Sequence, residues 1–321
     1  MAYFDVFNGD ADGICALTQW RLANPVEQVV HVTGVKRDIA LLSRVEAELG
    51  DEVTVLDISL DRNRDALDKV LAAGGRVMYA DHHYPGEIPH HSALQTHIDT
   101  DPNTCTSLII NQLLEDRFAA WAVTGAFGDN MQVRANALAQ QIGLSEKAVS
   151  HLQALGIYLN YNGYGETLAD LHITPDALFQ RTLRYANPLH FIEEDSATFA
   201  TLEAGYRDDM RAAENTPFES VSASAAVAIL PAAAWARRVS GVFANELANR
   251  APERAHALLT RKPEGGYLVS IRAPLMRKTG ADTFCRRYPS GGGRSAAGGI
   301  NHLSEAQLAA FVDDFQAFFH H

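Results

Sequence analysis

Arg76-Val77-Met78-Tyr79-Ala80-Asp81-His82-His83 is an apolar run that ends abruptly in an acid and two imidazoles. A strand is expected over residues 76–80, and the same event occurs twice upstream. Residues 3–7 lead into Asn8-Gly9-Asp10-Ala11-Asp12-Gly13, and the run 53–58 closes on Val55-Leu56-Asp57-Ile58. Further strands at 29–35 and 95–98 complete the set, with helices expected at 14–23, 39–49 and 63–73. Near-continuous apolar strands alternating with amphipathic helices imply an α/β domain with a doubly wound, mainly parallel sheet. In such sheets, sites gather beyond the carboxyl ends of the strands. Asp10, Asp12, Asp57, Asp81, His82 and His83 all fall there.

From residue 106 to about 183 the pattern is mostly helical, with helices at 107–115, 118–127, 135–141 and 146–158. Asn160-Tyr161-Asn162-Gly163-Tyr164-Gly165-Glu166 then reads as a polar, aromatic loop, suited to stacking on a base, covering a site or simply connecting. A charged helix at 196–215 connects the halves. The second half shows strands at 225–230, 255–260 and 267–272, helices at 232–249, 282–287 and 304–319, and a glycine-rich stretch at 290–299. The expected division is a catalytic domain over 1–190, a helical linker over 191–219 and a smaller α/β domain over 220–321.

The chain has 321 residues, comfortable for two domains, with 47% hydrophobic and 21% charged residues. No apolar run approaches the ~20 residues of a membrane span, and no export signal opens the sequence. Cys15, Cys105 and Cys285 are odd in number and far apart, which argues against a disulfide framework and a structural zinc site. A cytoplasmic protein with no membrane partner is the expectation. The net charge of −12, from 27 basic and 39 acidic residues, repels a long polyanion, so extended nucleic acid is not an expected partner. The charge is uneven, however. Arg261, Lys262, Arg272, Arg277, Lys278, Arg286, Arg287 and Arg294 face only Glu264 and Asp282 between positions 261 and 294. That excess suits a small anionic ligand, or it is a solvated basic loop.

Asp10 and Asp12, two residues apart at a strand exit, can lean into one pocket, and Gly13 lets the chain turn into a helix. Capping accounts for one acid, not for two together with Asn8. Asp57 stands in an apolar run, where an unpaired carboxylate costs about several kcal/mol unless it is paired or metal-bound. His82 is the best imidazole ligand, His83 a neighbour able to contact a phosphate, and Asp129 follows an apolar helix as the last oxygen ligand. Oxygen and imidazole donors together suit manganese, iron or zinc, while a mostly carboxylate shell also tolerates magnesium. Two cations roughly 3.5–4 Å apart would supply the nucleophile without an activated side chain. Neither a G-x-S-x-G elbow nor a Walker A loop is present.

The succession Asn8-x-Asp10-x-Asp12-Gly13, Asp57, Asp81-His82-His83 and Asp129 resembles the DHH phosphoesterase superfamily. Val269-Ser270-Ile271-Arg272 followed by Gly291-Gly292-Gly293-Arg294-x-Ala296-Ala297-Gly298 resembles its DHH-associated domain. The resemblance spans nearly the whole chain. It implies manganese-dependent phosphoester hydrolysis at a site in the cleft between two domains, by two divalent cations, most readily Mn2+. It further implies Asn8, Asp10, Asp12, Asp57, His82 and Asp129 as metal ligands, with Asp57 bridging and catalytic. His83 would touch the scissile phosphate, and Arg272, Gly291, Gly292, Gly293 and Arg294 would hold the far end of the substrate. Asn8 stands where many members have His or Asp. Arg294 replaces the usual histidine, which turns preference toward a terminal phosphate or a guanine edge.

The expected activity is cleavage of very short oligonucleotides, such as the linear diguanylate pGpG, to nucleoside monophosphates. A phosphomonoesterase or polyphosphate/pyrophosphate hydrolase is the enzymatic alternative, and a non-catalytic nucleotide-binding regulator the alternative from another class. The expected partner is a small anionic nucleotide, with a homodimer left open.

Overall fold

The computed structural model describes residues 1–320, which divide into two compact units, Met1–Glu203 and the residues from Ala204 on. The first unit opens with β1 (Tyr3–Phe7), α1 (Ala11–Ala23), β2 (Val29–Val32), β3 (Glu52–Leu56), α2 (Leu60–Ala72), β4 (Arg76–Asp81) and β5 (Leu94–Ile98). The five strands form one sheet in the order β2-β1-β3-β4-β5, every pair parallel. Alternation along each strand feeds two cores. Val6, Val55 and Tyr79 pack with Leu60, Leu67 and Val70 on the face covered by α2. Phe7, Leu56 and Ala80 pack on the other face with Ile14 and Leu17 of α1, Trp121 and Leu155. The sheet is therefore doubly wound, as expected. The chain leaves β1 toward β2 on one side and returns to β3 on the other. That makes the β1–β3 junction the switch point at which α/β sheets open a crevice.

Helices follow: α3 (Thr106–Leu113), α4 (Ala119–Gly128), α5 (Gln132–Gln141), α6 (Glu146–Gly163), α7 (Pro175–Thr182), α8 (Pro188–Glu194) and α9 (Ser196–Glu214). Two expectations are corrected here. The helix expected over 39–49 shrinks to a single 3-10 turn, Leu41–Arg44. Asn63 captures that segment instead, accepting from the Leu42 N–H at 3.1 Å and donating to the Ile39 carbonyl at 2.7 Å. These tertiary bonds override a helical spacing that propensity alone only weakly favours. The polar stretch expected as a loop from Asn160 is the last turn of α6, with Asn160, Tyr161 and Asn162 buried. Asn162 accepts from the His172 and Ile173 N–H groups and donates to the Ile173 carbonyl, so its amide serves the returning backbone.

The second unit holds β6 (Phe218–Val221), β7 (Ala225–Leu230), α10 (Ala234–Arg250), β8 (Ala255–Arg261), β9 (Tyr267–Arg272), α11 (Ala281–Cys285), β10 (Gly291–Arg294), β11 (Ala297–Leu303) and α12 (Leu308–Phe319). Its six strands run β10-β11-β9-β8-β7-β6, with β7 and β8 parallel and the other pairs antiparallel. Phe284, Phe311, Phe315 and Phe319 close one face over Ala255, Ala257 and Leu259, and α10 packs on the strands' other side. The glycine-rich stretch forms the hairpin β10–β11, Gly291 opposite Ile300 and Arg294 opposite Ala297. Among the described residues, no helix is long and apolar enough to cross a membrane.

Candidate metal centre

Asp10 ends the loop after β1 and caps α1, its Oδ1 accepting the Asp12 and Gly13 N–H groups at 3.0 and 3.1 Å. That cap sets the angle at which Asp12, in the first turn of α1, enters the crevice. Asp12 meets the start of α3: Thr106 N–H donates to Oδ2 at 2.7 Å and Ser107 N–H to Oδ1 at 2.8 Å. A helix N-terminus favours such a negative partner. Asp57 directly follows β3 and lies at φ +61°, a left-handed conformation uncommon for a non-glycine residue. Its Oδ1 accepts from Thr106 Oγ1 at 3.0 Å.

His82 follows β4 and is nearly fully buried. Its Nδ1 faces the Thr104 carbonyl at 3.1 Å. A carbonyl only accepts, so Nδ1 carries the hydrogen and Nε2 is the nitrogen turned toward the acids. That nitrogen lies 3.5 Å from Asp57 Oδ1, 3.9 Å from Asp129 Oδ2 and 4.0 Å from Asp12 Oδ2. Donor atoms sharing one ion at roughly 2.0–2.2 Å stand about 3–3.5 Å apart when adjacent and about 4 Å when opposite. Carboxylate oxygens from the first turn of α1, the residue after β3 and the end of α4 thus surround one imidazole nitrogen at distances near those between donors around a divalent cation. The set of oxygens and one imidazole suits Mn2+ or another first-row ion, and the carbonyl behind His82 fixes ring and tautomer as supporting partners of metal ligands do.

The electrostatics agree. Burial and the charges of Asp12 and Asp10 push the Asp57 carboxyl well above the usual range, with His83 opposing and Asp81 adding. Such crowding of acids is relieved by a cation. His83 is the exposed imidazole of the pair, its side chain 38% accessible, and its Nδ1 meets the fully buried Asp81 at 2.7 Å. Burial disfavours the charged ring, but the hydrogen bond and charge of Asp81 outweigh it, and the His83 pKa is raised. One donor atom from each of Asp57, His82 and His83 lies within 4.8 Å of the others.

Neither a family model nor a curated protein matches this chain. Solved structures do. Ninety-nine per cent of the chain superposes on manganese-bound RecJ from Thermus thermophilus, with a TM-score of 0.65 and 18% identity, and spans about half (52%) of that chain. A second exonuclease RecJ, bound to manganese, gives 0.60 and 17% identity, with 99% of this chain and 90% of that one covered. The pGpG-specific phosphodiesterase PggH from Vibrio cholerae gives 0.56 and 11%, covering 99% of this chain and 100% of that one. This chain has the fold shared by RecJ and PggH.

On that fold, the residues expected at the centre divide into two groups. Asp12, Asp57, His82 and Asp129 converge. Asn8 and Asp10 are turned to other partners: Asn8 Oδ1 accepts the Asp10 N–H at 3.2 Å and its Nδ2 donates to the Lys36 carbonyl at 3.2 Å. Asp10 Oδ2 accepts from the ammonium of Lys36, which also donates to Asn160 Oδ1 at 2.9 Å and lies 3.9 Å from Asp129 Oδ1. Burial works against that ammonium, but Asp10, Tyr164 and Asp129 raise its pKa well above the ordinary lysine value. For Asp10, burial is likewise opposed and overcome by Lys36, which lowers its pKa. Sequence reasoning missed Lys36, Asn160, Thr104, Thr106 and Ser107. Lys36 alone left a signal, lying one residue past the expected end of the second strand.

The remaining expected residues lie in the second unit. Arg272 holds β9 to α10, donating to Asn245 Oδ1 at 2.5 Å and to the Gly241 carbonyl at 3.3 Å, besides the Ile271 carbonyl at 3.0 Å. Gly291 and Gly293 are required by the hairpin itself: a Cβ would stand 1.8 Å from the Cys285 carbonyl oxygen and 2.4 Å from Gly298 Cα, and Gly293 has φ +139°. Gly292 faces open space, and Arg294 is exposed at the strand end.

Proposed function

We propose that this chain is a metal-dependent phosphodiesterase acting on very short oligonucleotides, releasing nucleoside monophosphates from substrates such as pGpG. The observation that carries the reading is the placement of His82 Nε2 3.5–4.0 Å from the carboxylates of Asp57, Asp129 and Asp12. A divalent cation held there, most readily Mn2+, supplies Lewis acidity toward a phosphoryl oxygen and a nucleophile at neutral pH. His83, oriented by Asp81, which also raises its pKa, offers a hydrogen bond to a phosphate oxygen from the accessible side of the ring. Lys36 adds a fixed positive charge behind Asp10 and Asp129, where charge on the phosphoryl group is to be balanced.

Three further observations favour a short nucleotide. Tyr84, next to His83, is 74% exposed and offers a face on which a base can stack. Arg294 and the open backbone at Gly292 suit an anionic group. The net charge of −12 disfavours a long polyanion. A structural neighbour named as a pGpG-specific phosphodiesterase points the same way. The test is a panel of dinucleotides, cyclic dinucleotides, pyrophosphate, polyphosphate and longer oligonucleotides with Mn2+, the products resolved by chromatography. Nucleoside monophosphates are expected from dinucleotides, with turnover falling sharply beyond a few residues. Equal turnover of dimers and 24-mers overturns the substrate class. Inorganic phosphate as the first product moves the assignment to a phosphomonoesterase or polyphosphate hydrolase.

A further inference from the structure

The resemblance implies two cations, yet the structure brings ligands together for one and places a side-chain ammonium where the other would lie. Lys36 Nζ is surrounded by three oxygens, Asp10 Oδ2, Asn160 Oδ1 and Asp129 Oδ1. Those are the donors that a second ion would need. The carboxylate of Asp129 straddles the two places, with Oδ1 toward Lys36 and Oδ2 3.9 Å from His82 Nε2. Such straddling is what a carboxylate does between paired ions.

The position of Lys36 is built into the fold. Its own N–H donates to the Gly163 carbonyl at 2.8 Å, and its carbonyl accepts from Asn8 Nδ2. Backbone bonds on both sides thus fix where the side chain departs. The ammonium stands 5.4 Å from the centroid of the Tyr164 ring, a cation–π partner that holds it from a further direction. Both Asp10 oxygens are already engaged, Oδ1 as the cap of α1 and Oδ2 by the ammonium of Lys36, whose positive charge stands on the side from which an ion would approach.

We propose that Lys36 substitutes for the second cation, giving a hybrid centre of one divalent ion, held by Asp12, Asp57, His82 and Asp129, beside a permanent ammonium. The proposal rests on the reading of the site as a metal centre, and the experiment separates the two. Mn2+ bound to the purified full chain is counted by equilibrium dialysis with elemental analysis. The bound ion is then examined by electron paramagnetic resonance, which distinguishes an isolated Mn2+ from an exchange-coupled pair. The expected result is about one ion per chain in wild type and in Lys36→Arg, with the isolated hyperfine pattern, and about two in Lys36→Ala with coupling. Two tightly bound, coupled ions in wild type overturn the proposal while leaving the metal centre intact. A count that stays near one in a folded Lys36→Ala also overturns it; should that variant fail to fold, the wild-type count and spectrum still decide. Wild type binding no Mn2+, with His82→Ala indistinguishable from it, refutes the metal centre itself.

Discussion

Asp57 combines two unfavourable features, a left-handed backbone at φ +61° and a buried carboxyl crowded by Asp12 and Asp10. Strain of this kind persists where surrounding structure over-determines it, as at functional sites. Its raised pKa has a direct consequence for stability. Between the unfolded carboxyl value near 3.8 and the higher folded value, the folded chain holds a proton that the unfolded chain releases. Metal-free protein therefore loses stability as pH rises through that window. Asparagine tolerates the left-handed region, keeps an acceptor for Thr106 and carries no charge. Asp57→Asn is expected to raise the unfolding midpoint in chelator at neutral pH and to weaken Mn2+ binding and turnover by more than about 100-fold. In excess Mn2+ the order reverses, with wild type the more stable. A variant less stable than wild type in chelator contradicts this account of the site.

The elements that bring Asp129 to the centre meet through glycine. A Cβ on Gly156 of α6 would lie 2.2 Å from the Thr124 carbonyl oxygen and 2.9 Å from the Gly128 nitrogen, both backbone atoms of α4. No rotamer change relieves that, so Gly156→Ala must drive the helices apart. The expected cost is about 1–3 kcal/mol of stability, together with a roughly tenfold weaker hold on Mn2+ as Asp129 shifts. Calorimetry and metal titration check both, and an unchanged affinity in a destabilised variant separates packing from site. These contacts also show where the sequence was legible. Strand ends carrying Asp12, Asp57 and His82 follow from periodicity and the geometry of parallel sheets, and Asp129 from its place after an apolar helix. Lys36 was reachable by the same strand-end rule, but its partner Asp10 lies 26 residues away and β1–β2 adjacency is needed to join them. The missing helix at 39–49 and the buried Asn160-Tyr161-Asn162 turn were not legible. Each is decided by side-chain amides bonding to distant backbone, which leaves no trace in local spacing.

At the scale of the whole molecule, the two units carry separate cores, and a buried imidazole gives the second an expected acid response of its own. In the second unit, His256 of β8 is 2% exposed, on the opposite side of its strand from the phenylalanine core, and its Nδ1 has no hydrogen-bond partner. Burial, aided by the charge of Arg254, lowers its pKa from 6.5 to about 4. As pH falls below 6.5, the unfolded chain takes up a proton that the folded chain refuses until about 4, so stability drains away across that window. The loss is on the order of 3 kcal/mol in full. Denaturant unfolding measured between pH 7 and about pH 4.5 is expected to show a steeper fall for wild type than for His256→Gln, whose amide does not titrate. Comparing the two slopes cancels the carboxylates that titrate in both. The Mn2+ dependence of the first unit supplies an internal check. Added metal is expected to shift the first unit's unfolding and to leave the difference between the two proteins in acid unchanged. Parallel slopes for wild type and His256→Gln would remove the buried imidazole as the origin of the second unit's acid sensitivity.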